Sequence, residues 1–215
     1  MSEWLTIVLA NKHEPKLVEL RALLGDLGCD FVSLSDGADA SPLDDDEPTL
    51  EAAASKKARI ACRATGMLAV AEESGLEVDA LGGRPGVRSA SYAHERATDA
   101  ENNAALLRDL EEIDEGNRTA HFRCVLALAN PWSDEVVVVS GQCDGRIARA
   151  ARGSGGFGYE PLFVVDGGDG RAFAELDPAV RHALNPRVRA AAALRPVLLA
   201  LFAELARDVE RIAGS

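Results

Sequence analysis

The sequence has few aromatic residues and a shortage of basic ones, and both limit what the protein can do. Only 5% of its residues are Phe, Trp or Tyr, so Val, Leu and Ala must fill most of the core. Acidic side chains outnumber basic ones by 35 to 23, and the formal charge of −12 opposes binding along a DNA or RNA backbone. A nucleic-acid polymer is therefore not an expected partner, whereas a small phosphorylated ligand is compatible with a local cluster of cations.

The sequence also lacks signals for export and for membrane insertion. The first residues, MSEWLTIVLA, contain no basic region, and no segment reaches the roughly 18 apolar residues of a membrane span. Cys29, Cys62, Cys124 and Cys143 form no CxxC pair, which favours reduced thiols, buried for the last three, over disulfides or zinc. We therefore expect a cytoplasmic protein with no membrane partner.

The spacing of apolar residues predicts an α/β fold. The predicted strands are 5–10, 67–71 and an antiparallel pair, 119–129 with 135–143. The predicted helices are 15–24, 49–64, 98–110 with Asp99 as a cap, and 186–212 with a break at Pro196. The polar segment 35–48, with its acidic run at 44–47, is expected to be a solvated loop. Because no linker or repeat interrupts this order, residues 1–215 are expected to form one domain.

Adjacent carboxylates follow the predicted strand at 67–71. Glu72 and Glu73, with Ser74 and Gly75 after them, would stand at the carboxyl end of that strand, the edge where α/β folds bind ligands. Carboxylates there can hold Mg²⁺, which takes oxygen ligands, or orient an attacking water molecule. The alternative is a simple charged turn.

A second group of polar residues surrounds the start of the first helix. Asn11, His13 and Lys16 combine loop donors, a helix N-terminus and a cation, which suits a triphosphate. The GxxxxGK[ST] spacing of a Walker loop is absent. The alternative is that Lys16 is a solvated helix residue and His13 an ordinary loop residue.

A third group lies in the glycine-rich segment 153–161. Glycine allows close approach of the backbone, and Phe157 or Tyr159 offers an aromatic face to a base. The alternative is a hairpin whose aromatic rings belong to the core. A weaker cluster of cations at the start of the last helix could bind an anion, and the alternative is that these charges are simply solvated: Arg181, His182, Arg187 and Arg189.

Four stretches in order resemble successive signatures of the inosine triphosphate pyrophosphatase family. They are AEESGLEVDALGGRPGVRSASY, ATDAENNAALL, RTAHFRCVLALA and GSGGFGYEPLF, within a likeness over about residues 7–205. The resemblance implies an elongated two-lobe α/β fold around a long mixed β-sheet flanked by helices, as in ITPase-like and Maf-like folds. It also implies a homodimer, a requirement for Mg²⁺, and hydrolysis of ITP, dITP or XTP to the monophosphate and pyrophosphate.

The resemblance assigns the residues of the reaction. Glu73 would bind the metal and orient the attacking water, with Glu72 in support. Lys16, Lys57 and Arg181 would bind the phosphates.

The resemblance also assigns the base pocket. Phe157 would stack on the base, and Glu160, Asn185 and Arg187 would read its edge. The remaining candidate contacts with substrate are Asn11, His13, Ser74, Gly75, Gly158 and Tyr159.

The chain departs from the family pattern where the chemistry is expected. Ala52 and Ala53 stand where the family has its metal-binding Glu and a neighbouring Asn. A Glu in place of an Asp moves the carboxylate outward by about 1.5 Å, and Mg²⁺ tolerates little departure from about 2.1 Å. The first loop has Asn11 and His13 where the family has Thr and Asn, and the other departures are Glu72, Glu73, Glu160, Arg181, Asn185 and Pro186. We therefore expect a metal held mainly by substrate phosphates and water.

Two alternatives to an ordinary pyrophosphatase follow from these departures. The metal and base motifs differ together, which suits an unusual nucleotide in a dedicated pathway. The missing carboxylate at Ala52 suits a nucleotide-binding protein without catalysis. Retention of acids at Glu72 and Glu73 favours an enzyme.

Overall fold

The computed structural model of this chain describes residues 5–11, 14–34 and 47–213. Six strands form one mixed sheet in the order β2-β1-β3-β4-β5-β6. Strand β1 pairs in parallel with β2 and β3, and all other neighbours are antiparallel. The strands are β1 (Thr6–Ala10), β2 (Asp30–Ser33), β3 (Leu68–Val78), β4 (Thr119–Ala129), β5 (Val136–Ile147) and β6 (Phe163–Val165). The predicted α/β fold with a long mixed sheet is confirmed, while most of the acidic run, residues 44–46, lies outside the described residues.

The helices are α1 (Glu14–Leu24), α2 (Leu50–Thr65), α3 (Asp99–Asp109), α4 (Pro178–Leu184) and α5 (Pro186–Ala213). The prediction that Asp99 caps α3 is wrong, because Thr98 caps it in a capping box with Glu101. The predicted break at Pro196 is also wrong, because α5 continues through it. Pro196 and Ala192, whose carbonyl loses its donor, both face solvent, where water replaces the missing bond. Over the described ranges, no helix has the length and apolar character to cross a bilayer.

Strand β3 is longer than the predicted 67–71, and this changes the setting of the two acids. It continues to Val78 because β4 pairs with it from Ala69 to Val78. Strand β1 ends at Ala10, opposite Ala71, so Glu72 is the first residue of β3 beyond the parallel part of the sheet. Because consecutive strand residues point to opposite faces, Glu72 and Glu73 project to different sides of the sheet.

Three apolar clusters fix these elements. One lies between the sheet and helices α1 and α5, and a second lies under α2. The third surrounds the far ends of β3, β4 and β5, where the rings of Phe122 and Phe163 are 4.3 Å apart. Cys62, Cys124 and Cys143 are buried, as predicted. Both faces of the sheet are therefore covered near Glu72 and Glu73.

The start of α5 presses directly on β5 at Gly141. A Cβ atom at this position would lie 2.1 Å from the Pro186 carbonyl oxygen and 2.5 Å from the Ala190 amide nitrogen. Only a glycine lets α5 approach so closely, and the approach sets where the first turn of α5 stands.

We expect Gly141→Ala to displace the first turn of α5 and lower the free energy of unfolding by about 1–3 kcal/mol, as overpacking does. Urea unfolding measures the change. Gly116→Ala is the control, because nothing lies within 4 Å of its added Cβ. Equal stability of the two variants would contradict this account of the contact.

Candidate active site

Glu72 is buried and held by cations from two helices. Glu72 is 3% exposed. The Nε and Nη2 atoms of Arg187 donate to its two carboxylate oxygens, each at 2.9 Å, and Lys16 Nζ lies 3.4 Å from Oε1. Such a bidentate, charge-assisted pair is the strong form of hydrogen bond between side chains. It joins β3 to α5, and Lys16 adds α1.

A second carboxylate completes the enclosure of Arg187. Its Nη1 donates to Glu19 of α1, and Asn185 Nδ2 donates to the other Glu19 oxygen at 3.0 Å. Asn185 Oδ1 accepts from the Arg187 amide at 2.9 Å, the bond of a helix N-cap, and Pro186 takes the first helical position, which suits proline. The sequence Asn-Pro-Arg is therefore a well-formed helix start, and it delivers Arg187, only 8% exposed, to the two acids.

The charges of this network hold one another in the ionised form. Burial alone would raise the pKa of Glu72, but Lys16 and Arg187 outweigh it and lower that pKa below its usual value. Burial opposes the charge on Arg187 as well, yet Glu72 and Glu19 raise its pKa. Both members of the pair are charged at neutral pH.

Lys16 also contacts the strand beyond Glu72. Its Nζ donates to Ser74 Oγ at 3.0 Å, so one ammonium group links Ser74 and Glu72, which lie on the same face of β3. Asn11 is half-buried just after β1 ends, and His13 lies outside the described residues. The lysine expected to grip phosphates therefore stands in the first turn of α1, beside the end of β1.

The other face of β3 carries a separate set of ion pairs. Glu73 contacts Lys57 of α2, and both side chains are largely buried. Arg123 of β4 donates to Glu51 at 2.6 Å and to both oxygens of Glu77 at 3.1 and 3.2 Å. Burial would lower the pKa of Arg123, but these two acids raise it. Each of these carboxylates therefore faces a cation supplied by the protein.

This face does not by itself form a metal site. The first turn of α2 offers Ala52 and Ala53, which have no ligand atoms, and in the part of the chain that the structure describes no three His, Cys, Asp or Glu side chains are grouped to hold a metal ion. Glu72 cannot join Glu73, because the two side chains point to opposite faces. Glu73 is the one predicted metal ligand, and it can contribute a single carboxylate.

Gly75 has a packing role in this structure. A Cβ at this position would lie 2.3 Å from the Gly86 carbonyl oxygen and 2.8 Å from Ser89 Oγ. The short 3₁₀ segment Gly86–Ser91 therefore lies directly against β3 on the Glu73 side.

The glycine-rich segment exposes one aromatic ring and buries the other. Phe157 is 73% exposed, between Gly156 (φ +82°) and Gly158 (φ +59°). Tyr159 is 5% exposed, and its hydroxyl donates to the Ser89 carbonyl at 2.8 Å. Of the two rings considered for base stacking, Phe157 is free to do so and Tyr159 belongs to the third apolar cluster.

Beneath this loop lies the pair Glu160 and Arg181. Arg181 Nη1 is 3.4 Å from Glu160 Oε2, and a Cβ at Gly156 would collide with that same oxygen at 1.7 Å. Burial raises the pKa of Glu160 above its usual value, with Arg181 opposing the shift. The loop can cross Glu160 only because residue 156 is a glycine.

The structure thus brings the predicted residues together in three groups. Lys16, Glu72, Ser74, Asn185 and Arg187 share one network, Lys57 and Glu73 share another, and the third consists of Phe157, Gly158, Glu160 and Arg181.

Sequence reasoning missed Glu19, although it follows Lys16 by three residues and so shares its helix face. It also missed Arg123, because its contacts depend on the register of β3 and β4.

A pocket of about 260 Å³ lies at the far end of α2, between Arg59, Arg63 and the turn joining β4 to β5. None of the predicted site residues lines it. It is separate from the three groups.

Paired acids and cations beside the end of a parallel strand define an α/β protein with a candidate phosphate site. The family itself follows from comparison: residues 7–197 match the Ham1 family. The chain belongs to this family, which confirms the resemblance to the inosine triphosphate pyrophosphatases.

Relatives and solved structures agree with this assignment. The dITP/XTP pyrophosphatase of Geobacter sulfurreducens is 43% identical over 88% of this chain and 94% of its own, and that of Leifsonia xyli is 45% identical over 91% and 96%. The structure of a HAM1 protein from Coxiella burnetii, 39% identical, aligns with a TM-score of 0.81 over 90% of this chain and 98% of its own. The dITP/XTP pyrophosphatase of Mycobacterium abscessus, 41% identical, aligns with a TM-score of 0.80 over 89% and 100%.

We expect Arg187→Met to lower the free energy of unfolding at pH 7 by about 3–5 kcal/mol, because it leaves Glu72 buried without its main partner. In the wild type the lowered pKa of Glu72 contributes stability above the ordinary Glu pKa of about 4.3, and this contribution is lost as the pH falls through the folded-state value. In the variant, burial raises that pKa against the pull of Lys16. The difference in free energy of unfolding between the wild type and the variant should therefore shrink as the pH falls from 7 to 5.

Urea unfolding at both pH values measures this deficit. Arg207→Met, at an exposed position of the same helix, is the matched control and should change little at either pH. A deficit that does not depend on pH would show that Arg187 stabilises the fold by packing rather than by charge.

Proposed function

We propose that this chain hydrolyses dITP, XTP or ITP to the nucleoside monophosphate and pyrophosphate. The main support is the pairing of cations with the acids of β3: Lys16 with Glu72, and Lys57 with Glu73. The dITP/XTP pyrophosphatases that resemble the chain at 43–45% identity over most of its length support the same activity. The charge of −12 and the membership of this family also favour a cytoplasmic enzyme acting on small nucleotides.

The phosphates are proposed to bind at the start of α1. Lys16 lies in the first turn of this helix, where the helix dipole favours an anion. Its side chain is 29% exposed, so its ammonium group can reach a ligand while it stays near Glu72. Asn11, just after β1, Lys57 and Arg181 would add donors, as the family resemblance implies.

Glu73 is proposed to orient the attacking water. Its carboxylate contacts Lys57, which fixes the position of the acid. Water held by an ionised carboxylate can attack a phosphorus atom as the cations neutralise the developing charge on the phosphates. Glu72 is proposed to support the site from behind, because Arg187, Lys16 and burial hold it away from solvent.

Mg²⁺ is proposed to enter with the nucleotide. The described residues suit an ion held by one carboxylate, water and phosphates, which is a common arrangement for this metal. Glu73 would supply that carboxylate. When bound, the ion would neutralise charge on the phosphates; the protein would position the triphosphate through its own cations.

The base is proposed to stack on Phe157. This ring is exposed, and Glu160, which Arg181 contacts, lies beneath the same loop, where it would read the base edge. Stacking on an aromatic ring is tolerant of base identity, so polar groups must choose the base. Arg187 is enclosed by Glu72 and Glu19, and we infer that its contribution is to hold Glu72.

A homodimer is also proposed, as the resemblance implies. Strand β5 supports it: β6 pairs only with Gly145–Ile147, so among the described residues no strand lies beside 136–144 on that side. Val137 and Val138 are 42% and 39% exposed there. An open strand edge with apolar side chains is a surface that a second copy can cover.

The proposed reaction predicts that Glu73→Gln lowers turnover by a factor of about 10²–10⁴, because the variant cannot act as a base. Release of pyrophosphate from dITP, XTP, ITP and the four standard triphosphates, with and without Mg²⁺, measures the activity. Glu77→Gln is the matched control, since Glu77 lies on the same face of β3 and pairs with Arg123.

The products separate this proposal from its alternatives. Release of orthophosphate rather than pyrophosphate would contradict cleavage between the α and β phosphates. Tight binding of dITP with no product would indicate a binding protein, and activity on modified nucleotides alone would indicate a dedicated pathway.

A further inference from the structure

The backbone of Gly158 is held on both sides by helix α3. Its amide donates to Asp99 Oδ2 at 2.6 Å, and its carbonyl accepts from Asn103 Nδ2 at 3.0 Å. Asp99 and Asn103 are four residues apart, so they project from the same face of α3. Two side chains of one helix therefore grip a single residue of the glycine-rich loop.

Helix α3 is firmly anchored in turn. Asn102 is 3% exposed, and its side chain accepts from the Ala93 amide at 3.0 Å and donates to the Ala90 carbonyl at 3.1 Å. The capping box of Thr98 and Glu101 fixes the first turn, from which Asp99 projects. The support for Gly158 is thus a rigid element rather than another loop.

The grip acts beside the one exposed ring of the loop. Gly156 and Gly158 both have positive φ values and flank Phe157. Because glycine has the widest range of backbone dihedral angles, the chain on either side of this ring has little conformational restraint of its own. Phe157 is 73% exposed, and among the described residues it belongs to none of the three apolar clusters. The backbone therefore sets the direction in which the Phe157 side chain leaves the loop, and the bonds to Gly158 restrain that backbone.

We propose that Asp99 and Asn103 are positioning residues that hold Phe157 ready to stack on the nucleotide base. This inference rests on the proposed function, and it adds α3 to the substrate site. Neither residue touches the base; both act through the Gly158 peptide. Asp99 has the larger effect, because a hydrogen bond to an ionised carboxylate is stronger than one between neutral groups.

Amide hydrogen exchange of the free protein tests the grip without any nucleotide. Asp99→Ala should speed exchange in peptides covering 153–160 by about tenfold or more, since loss of a charge-assisted bond frees the loop. Asp99→Asn keeps an oxygen acceptor and should restore most of the protection. Asp109→Ala is the matched control. Asp109 is the other aspartate of α3, and it accepts a hydrogen bond from the Tyr92 hydroxyl rather than from the loop.

Steady-state kinetics with dITP then test the link to Phe157. Asp99→Ala should raise KM by about tenfold with little change in kcat, and Asn103→Ala should raise it less. If Asp99 acts through the ring, Asp99→Ala should have no further effect on KM once Phe157 is alanine. Additive effects of the two substitutions would overturn the proposal.

The two measurements separate this inference from the proposed function. Unchanged exchange in Asp99→Ala would overturn the grip even if the wild-type enzyme is active. Faster exchange in a protein that releases no pyrophosphate would overturn the proposed function and leave the grip standing. Equal affinity of wild type and Asp99→Ala for dITP, measured by calorimetry, would then overturn the role of the grip in base stacking.

Discussion

The buried pair of Glu72 and Arg187 is the contact on which the arrangement of the site depends. Removing a carboxylate from water is costly unless close charges and hydrogen bonds replace the water, and here Arg187 and Lys16 supply them. Through Glu19 the same contact joins the middle of α1 to the start of α5. The lysine expected at the phosphates and Glu72 are therefore held in one connected network.

The sequence predicts the fold class, the antiparallel pair of β4 and β5, and a cation beside the first strand. It does not predict that Glu72 and Glu73 point to opposite faces of the sheet, because the length of β3 depends on pairing with a strand about 50 residues away. In sequence, Asn185 and Pro186 look like departures from a motif that recognises the base. In the structure they form a helix cap whose partner, Glu19, lies more than 160 residues away. Contacts at such separations leave no local pattern.

The departures from the family pattern share a physical consequence. Ala52 and Ala53 remove polar atoms from the first turn of α2, and the acids that remain nearby are paired with protein cations: Glu73 with Lys57, and Glu51 with Arg123. Charge on this face is thus balanced by residues fixed to α2 and β4. A divalent cation then has little to bind until a triphosphate brings further oxygen ligands.

Calorimetric titration of Mg²⁺ tests this central claim most directly, first into the free protein and then into the protein with a non-hydrolysable analogue of dITP. We expect no binding of Mg²⁺ to the free protein at millimolar concentrations and clear binding once the analogue is present. Binding of Mg²⁺ to the free protein that is lost in Glu73→Gln would contradict it, because the protein would then hold the metal with its own residues.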